Sequence, residues 1–222
     1  MSVETLIEPL VHSPLLPEAI EALEARMREE KSRRQAFYKE MTDAEKVEFI
    51  EGEIVLHSPA RAVHLEVRAN IERLLHLFAA TNQFGAVFGE KCLCVFPRND
   101  YEPDVVWFSP EKASTIEPGT MKFPVPDFVV EVISESTESR DRGVKFEDYA
   151  AHGVSEYWIV DPNAAVIEQY LEKDGSYLLA RKVGDGSLDS SAIPGFSLPV
   201  RAAFDAETNL AALRALSATN EG

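Results

Sequence analysis

Residues 125–161 read VPDFVVEVISESTESRDRGVKFEDYAAHGVSEYWIVD, and this stretch decides the fold. DFVVEVI, from Asp127 to Ile133, is the most β-rich run in the chain and predicts a central strand. Strand parity places Asp127, Val129, Glu131 and Ile133 on one face. A polar loop follows, from Ser134 to Arg140, and then a helix from Asp141 to His152. Gly153 stands where a left-handed helix cap belongs. EYWIVD is a second strand. One strand–helix–strand unit among several other strands predicts an α/β (α+β) architecture, a mixed β-sheet flanked by helices.

Working towards the N-terminus, DVVWF (Asp104 to Phe108) reads as a short apolar strand, and AVFGEKCLCVFP before it as one or two strands. Pro59 to Ala80 reads as a helix, with Val63, Val67, Ile71, Leu74, Leu75 and Phe78 at the spacing of a buried face. VEFIEGEIVLH predicts two strands around a Glu51-Gly52 turn, and Thr42-Asp43-Ala44-Glu45 a helix start. Pro17 to Lys39 is a helix with an interrupted apolar stripe, Ile20, Leu23, Met27 and Phe37. Residues 1–16, punctuated by prolines, read as irregular. The expected organisation is a helical extension over 1–41 and one domain over 42–222. Towards the C-terminus, AVIEQYL and SYLLARKV form a hairpin across Asp174-Gly175. Sheet-edge pieces run through SLPVRAAF, and a closing helix spans Asp205 to Leu216.

The 222 residues suffice for a full core without staples. No apolar run approaches the roughly 18 residues of a membrane span, and the first residues lack the basic start of a secretory signal, so a cytoplasmic protein is expected. The net charge of −16 excludes a generic nucleic-acid-coating protein, which would be basic. It leaves room for an enzyme with a local site. Cys92 and Cys94 lack the second ligand pair of a zinc site and read as reduced core thiols.

The chemistry-bearing residues stand out against this background. Glu131 lies inside an apolar strand, where an unpaired carboxylate would cost several kcal/mol, of the order set by burying charge. Lys145, on the following helix, is the available cation and shares a face with Tyr149. Asp104 begins the neighbouring strand after Glu102-Pro103. Two acids and a lysine are the minimum set for hydrolysing a phosphodiester with a hard divalent cation. A buried ion pair between Glu131 and Lys145, or an arginine of SRDRG, satisfies the spacing too. Asp127 also follows a proline, but it lies about 13 Å along the strand from Glu131 at the usual rise, too far for one shared ion.

Four segments, VEFIEGEIV, SPARAVHLEV, EPDVVWF and above all the Pro126–Pro162 run, resemble the Uma-two family of restriction-endonuclease-like proteins, within the PD-(D/E)XK nuclease superfamily. The resemblance covers residues 46 to about 204. It implies a restriction-endonuclease-like fold and an Mg²⁺- or Mn²⁺-dependent endonuclease acting on DNA, with a homodimer as a further expectation. Asp104 matches the motif Asp and Glu131 the motif (D/E). Ile133 stands where the motif lysine belongs, and Lys145 takes over that role from the helix. The resemblance further implies Glu48 and the Val132 carbonyl as metal-site groups and His64 as a contact to phosphate or water. An edge-of-core histidine is the other reading of His64. A catalytically inactive nuclease-fold binding module is the alternative for the whole protein.

Overall fold

The computed structural model describes residues 3–42 and 45–218. Helices α1 (Val3–Val11) and α2 (Leu16–Glu40) come first, followed by the hairpin β1 (Val47–Ile50) and β2 (Glu53–Leu56). Helix α3 (Ala62–Asn82) leads into β3 (Ala86–Gly89), β4 (Leu93–Val95), β5 (Asp100–Tyr101) and β6 (Val105–Phe108). Then come α4 (Pro110–Ala113), β7 (Lys122–Phe123) and β8 (Phe128–Val132), followed by α5 (Glu138–Asp141), α6 (Val144–Ala151) and β9 (Glu156–Asp161). The chain closes with β10 (Val166–Lys173), β11 (Ser176–Val183), β12 (Ser187–Asp189), β13 (Ser197–Pro199), α7 (Arg201–Phe204) and α8 (Ala206–Ala218). Among these residues no helix is long and apolar enough to cross a membrane.

The strands form a six-stranded sheet in the order β11-β10-β9-β8-β6-β3 and a five-stranded sheet in the order β2-β1-β5-β4-β7. Both are mixed: β8 runs parallel to β9, and β4 parallel to β7, while the other pairs are antiparallel. The expected mixed architecture with flanking helices is present, divided between two principal sheets. β8 is central because both its faces are apolar. Phe128, Val130 and Val132 join Val67, Ile71, Leu74 and Leu75 of α3 in one core cluster. Val129 and Ile133 join a second cluster with Tyr149, Tyr157, Phe96 and Tyr101.

Turn chemistry fixes the pieces around this core. Glu51 and Gly52 have φ of 51° and 89°, the positive values a two-residue hairpin requires. A Cβ on Gly52 would stand 2.8 Å from the Glu30 side chain, so glycine also lets α2 approach. Gly153, at φ 85°, follows α6 as the sequence predicted. Cys92 and Cys94 are free and buried, as expected.

Four local expectations are corrected. Residues 3–11 are helical, not irregular: Pro9 lies inside the helix, near its C-terminal end, and removes one intrahelical N–H without preventing it. The helix expected over 141–152 is divided, because Gly143 adopts a non-helical φ of −113° and ψ of −109° and separates α5 from α6. Residues 201–204 are a helical turn, not a sheet edge. Ala202 and Ala203 are fully buried there, with their carbonyls bound by Asn209 and Asn70. β12 and β13 pair only with each other rather than edging a larger sheet. The helix start expected at Thr42–Glu45 includes Asp43 and Ala44, which lie outside the described residues, as do residues 219–222.

Helix α2 is fastened to the five-stranded sheet by its C-terminal half. Arg34 donates from Nε and Nη2 to both oxygens of the fully buried Asp100, at 2.7 and 2.5 Å, and also to the carbonyls of Phe96, Pro97 and Asn99. Tyr38 donates to Asp100 at 2.9 Å. Glu30 accepts from Arg26 and Arg98, and Phe37 stacks on Phe49. On the far side, Glu168 accepts from Arg142, Lys182 and Tyr170. Arg142 is thus engaged internally.

Two outcomes follow. Arg34→Ala strips a buried carboxylate of its charge partner and is expected to lower the unfolding free energy by about 3 kcal/mol in urea titrations, the usual cost of breaking a buried pair. Burial raises the Glu168 carboxyl, but the Arg142, Lys182 and Tyr170 hydrogen bonds outweigh it and hold it at about 2, below the ordinary 4.5. A depressed folded pKa gives stability that is present above about pH 4.5 and is lost as pH falls towards 2. Glu168→Gln should therefore flatten that part of the acid limb in thermal melts, with little change in its slope above pH 5.

Candidate active site

The site begins with an awkward lysine. Lys145 projects from the first turn of α6 into the space between the two sheets, where only 2% of it is exposed. Its Nζ lies 2.9 Å from Glu48 Oε1, 2.9 Å from Glu131 Oε1 and 3.4 Å from Asp141 Oδ1. These acids arrive on β1, β8 and the end of α5. Tyr149, one helical turn after Lys145, donates to Glu131 Oε1 at 2.9 Å. Its ring packs in the second core cluster while its hydroxyl orients Glu131.

Asp104 precedes β6, which pairs directly with β8. Its backbone N–H donates to Glu131 Oε2 at 3.3 Å, and the Val132 N–H donates to Asp104 Oδ2 at 2.9 Å. The two acids are thereby locked side by side where β6 begins against the end of β8. Asp104 Oδ1 faces Lys46 Nζ at 3.0 Å and His64 Nε2 at 3.3 Å. Glu48 accepts from the Glu102 N–H at 2.9 Å, and its other oxygen meets His57 Nε2 at 2.8 Å. Asp104, Glu131, Lys145, Glu48, His64 and the Val132 backbone therefore converge from five separate segments. Asp127 does not join them. It binds Lys112 and the Ser109 N–H at the opposite end of β8.

Three members were not anticipated. Lys46 immediately precedes the strand that carries Glu48, and Asp141 precedes Lys145 by four residues, the spacing of a helical ion pair. His57 was read only as the end of the second strand. Lys46 and Asp141 carried local signals, charge next to an assigned site residue and i,i+4 spacing; His57 is brought in only by the β1–β2 hairpin.

Electrostatics sets the character of the cluster. Burial pushes Glu131 up, and Asp141 and Asp104 push the same way, so that it reaches about 8 despite Lys145 and Lys46. Burial also raises Asp141. For Glu48, burial is outweighed by Lys145 and His57, which hold it at about 2. Asp104 is likewise held well below the carboxylate range by Lys46 and His64 against burial. Lys145 is raised well above its ordinary value: burial opposes its charge, but Glu131, Glu48 and Asp141 prevail. Four buried acids thus share two lysines, and the shortage of positive charge falls on Glu131.

These groups fit a hard divalent cation in their chemistry. They offer carboxylate oxygens, surplus negative charge and a buried Asp141 Oδ1 that lacks a hydrogen-bond partner. No three His, Cys, Asp or Glu side chains among the described residues are arranged as a metal cage, but Mg²⁺ needs only one or two carboxylates, with water and substrate phosphate completing its shell. Asp104, Glu131 and the Val132 carbonyl are the groups that would hold it.

The comparisons agree with this fold. The family model Uma2, described as "Putative restriction endonuclease", matches residues 33–201. The "Uncharacterized protein sll1609" of Synechocystis sp. is 30% identical over 146 residues, covering 64% of this chain and 82% of that protein. A crystal structure titled as a "putative nuclease belonging to DUF820", from Anabaena variabilis, superposes with a TM-score of 0.65 at 18% identity, over 76% of this chain and 94% of that one, and shows the same fold. With the family match spanning most of the sequence and containing every residue of the carboxylate–lysine cluster, the chain belongs to the Uma2 family of restriction-endonuclease-like proteins.

Proposed function

We propose that the protein is a metal-dependent endonuclease that hydrolyses DNA phosphodiester bonds in the cytoplasm. The observation that supports this reading most is the pairing of Asp104 with Glu131 on adjacent strands, inside a buried cluster with more carboxylates than cations. Mg²⁺ or Mn²⁺ would be held by Asp104, Glu131 and the Val132 carbonyl. When bound, such an ion polarises the phosphoryl group and lowers the pKa of a water.

The two lysines then have different duties. Lys145, with a side chain only 3% exposed, is committed to Glu131, Glu48 and Asp141. It donates to Glu131 Oε1 at 2.9 Å, with Glu48 at 2.9 Å and Asp141 at 3.4 Å as ion-pair partners. Lys145 is therefore a positioning residue that fixes the acids. Lys46 and His64 flank Asp104 with side chains 21% and 13% exposed. They are more exposed than the acid they flank, and their N–H groups can donate to a phosphate oxygen or hold a water beside Asp104. Tyr149 and the backbone N–H of Asp104 keep both Glu131 oxygens in place. The alternative, a nuclease fold kept for binding without turnover, draws on Ile133, which occupies the motif-lysine position and is packed in the core.

Cleavage of single-stranded, duplex and branched DNA with Mg²⁺ or Mn²⁺ tests the reading. Asp104→Ala and Glu131→Ala should each lower the rate by about 100-fold or more, on the scale of losing a pre-organised electrostatic group. Mn²⁺ should raise the melting temperature of the wild type, since it binds only the folded chain, and leave that of Asp104→Ala unchanged. Stabilisation by metal without cleavage of any substrate would favour the binding module. Activity that survives in both variants would remove this site from the chemistry.

The division of labour between the lysines has its own test. Lys145→Ala leaves three buried acids without their cation and should cost about 3 kcal/mol or more in urea unfolding. Lys46→Ala removes one partner of the buried Asp104 but leaves His64 beside it, so it should cost less stability than Lys145→Ala and act on the reaction as well, raising KM for DNA. Equal loss of stability in both variants would contradict this division.

A further inference from the structure

The connection from β8 to α6 holds a charge that the fold does not use. Arg140 stands half-buried on α5. Its backbone is satisfied, since its N–H donates to the Thr137 carbonyl and its own carbonyl accepts from Gly143. Its side chain is not: the buried Nε has no hydrogen-bond partner. The acids of the same connection are taken by other cations. Glu135 faces Arg61 at 3.7 Å, Glu138 accepts from Arg142 at 2.9 Å, and Asp141 lies 3.4 Å from Lys145. A buried donor without a partner calls for an explanation, and a guanidinium is a planar fork of donors shaped for carboxylate or phosphate.

The place of Arg140 narrows the ligand. Its neighbour Asp141 belongs to the carboxylate–lysine cluster, so Arg140 is one residue from the site. Earlier in the connection, Glu135 meets Arg61, which immediately precedes α3. The first turn of α3 carries His64, 3.3 Å from Asp104. The connection and the start of α3 therefore border Asp104 together. Ser134 adds a hydroxyl there that shares hydrogen bonds with the hydroxyls of Ser136 and Thr137, at 3.1 Å each.

We propose that Arg140 binds a phosphate of the DNA strand adjacent to the scissile one and holds that strand in register over Asp104 and Glu131. This contact rests on the nuclease reading and extends it. Carboxylate is the other ligand a guanidinium takes, and each acid of the connection already has its cation. A contact to the backbone positions the substrate without reading its bases. Lys46 and His64 flank Asp104 itself, so Arg140 supplies what they do not, a hold on the strand beyond the reacting phosphate. Packing is the competing account, because an arginine stem covers apolar surface. Packing depends on the stem, and phosphate binding on the charged fork.

Fluorescence anisotropy of a labelled duplex in Ca²⁺, with cleavage assays in Mg²⁺, tests the proposal on the full chain. Arg140→Met keeps an unbranched stem and removes the fork. It should weaken DNA binding about tenfold, the scale of a charge-assisted hydrogen bond, and lower the slope of log K against log salt by about 1. KM should rise with kcat unchanged, and the urea midpoint should stay where it is. Arg140→Lys keeps the charge without the fork and should restore the salt slope but only part of the affinity. Wild-type affinity and slope in Arg140→Met would overturn the proposal, and so would a fall in its urea midpoint that accounts for the weaker binding. In both cases a wild type that cleaves DNA leaves the nuclease reading standing. A wild type that neither binds nor cleaves DNA removes that reading, and this contact with it.

Discussion

Burying Lys145 is the constraint on which the rest of the structure depends. An ammonium removed from water is stable only where carboxylates surround it closely. Here those carboxylates come from β1 in one sheet, β8 in the other, and α5 in the connection between β8 and β9. The lysine therefore joins elements distant in sequence, and its position requires both sheets to be assembled. Tyr149 reinforces the join from the same helix, since it shares Glu131 Oε1 with Lys145. The aromatic packing of Tyr149 with Phe96, Tyr101 and Tyr157 gives that helix one angle of approach.

A lysine held in this way does not neutralise everything around it. Asp104 needs Lys46 and His64, Glu48 needs His57, and Asp141 keeps an oxygen without a hydrogen bond. Such an arrangement is expensive as pure architecture, because buried acids in excess repel one another. It becomes economical if a cation joins them. The remaining cations of this acidic chain are largely engaged: Arg34 by Asp100, Arg98 by Glu30, Arg142 and Lys182 by Glu168, and Arg68 by Glu72. On the nuclease reading, attraction for a phosphate backbone therefore concentrates at the site itself, which accords with the net charge of −16.

Much of this was legible in the sequence wherever local periodicity carries the information. The central strand, the buried face of α3 and the Glu51-Gly52 turn all follow from repeats of two, of three and four, or from one special backbone position. The awkwardness of Glu131 inside an apolar run was visible because a charge there demands a partner. The residues that escaped are those placed by tertiary structure. Lys46 and His57 flank a hairpin whose distance from β6 and β8 along the chain conceals their proximity to Asp104 and Glu48. The break at Gly143 was missed because the apolar positions of the expected helix begin only at Val144 and nothing before them fixes where the helix starts, and the helix at residues 3–11 because a proline near a helix end resembles one in a loop.

The exchange between Ile133 and Lys145 shows how a site can keep its charge pattern while its sequence signature dissolves. Ile133 lies two residues beyond Glu131 on the same strand face, and a lysine there would follow the strand outward. In this chain that position packs with Tyr149 and Ile159 in the second core cluster, so an apolar side chain is required. Lys145 enters from above the same strand face, where α6 crosses, and ends 2.9 Å from the same glutamate. What the cluster needs is a cation at a point in space, and either a strand or a helix can deliver it. The helix route adds something that the strand route could not: because α5 and α6 are joined through Gly143, Asp141 is brought within 3.4 Å of the same ammonium. The fourth acid, and with it the shortage of positive charge at Glu131, is thus a consequence of where the lysine comes from.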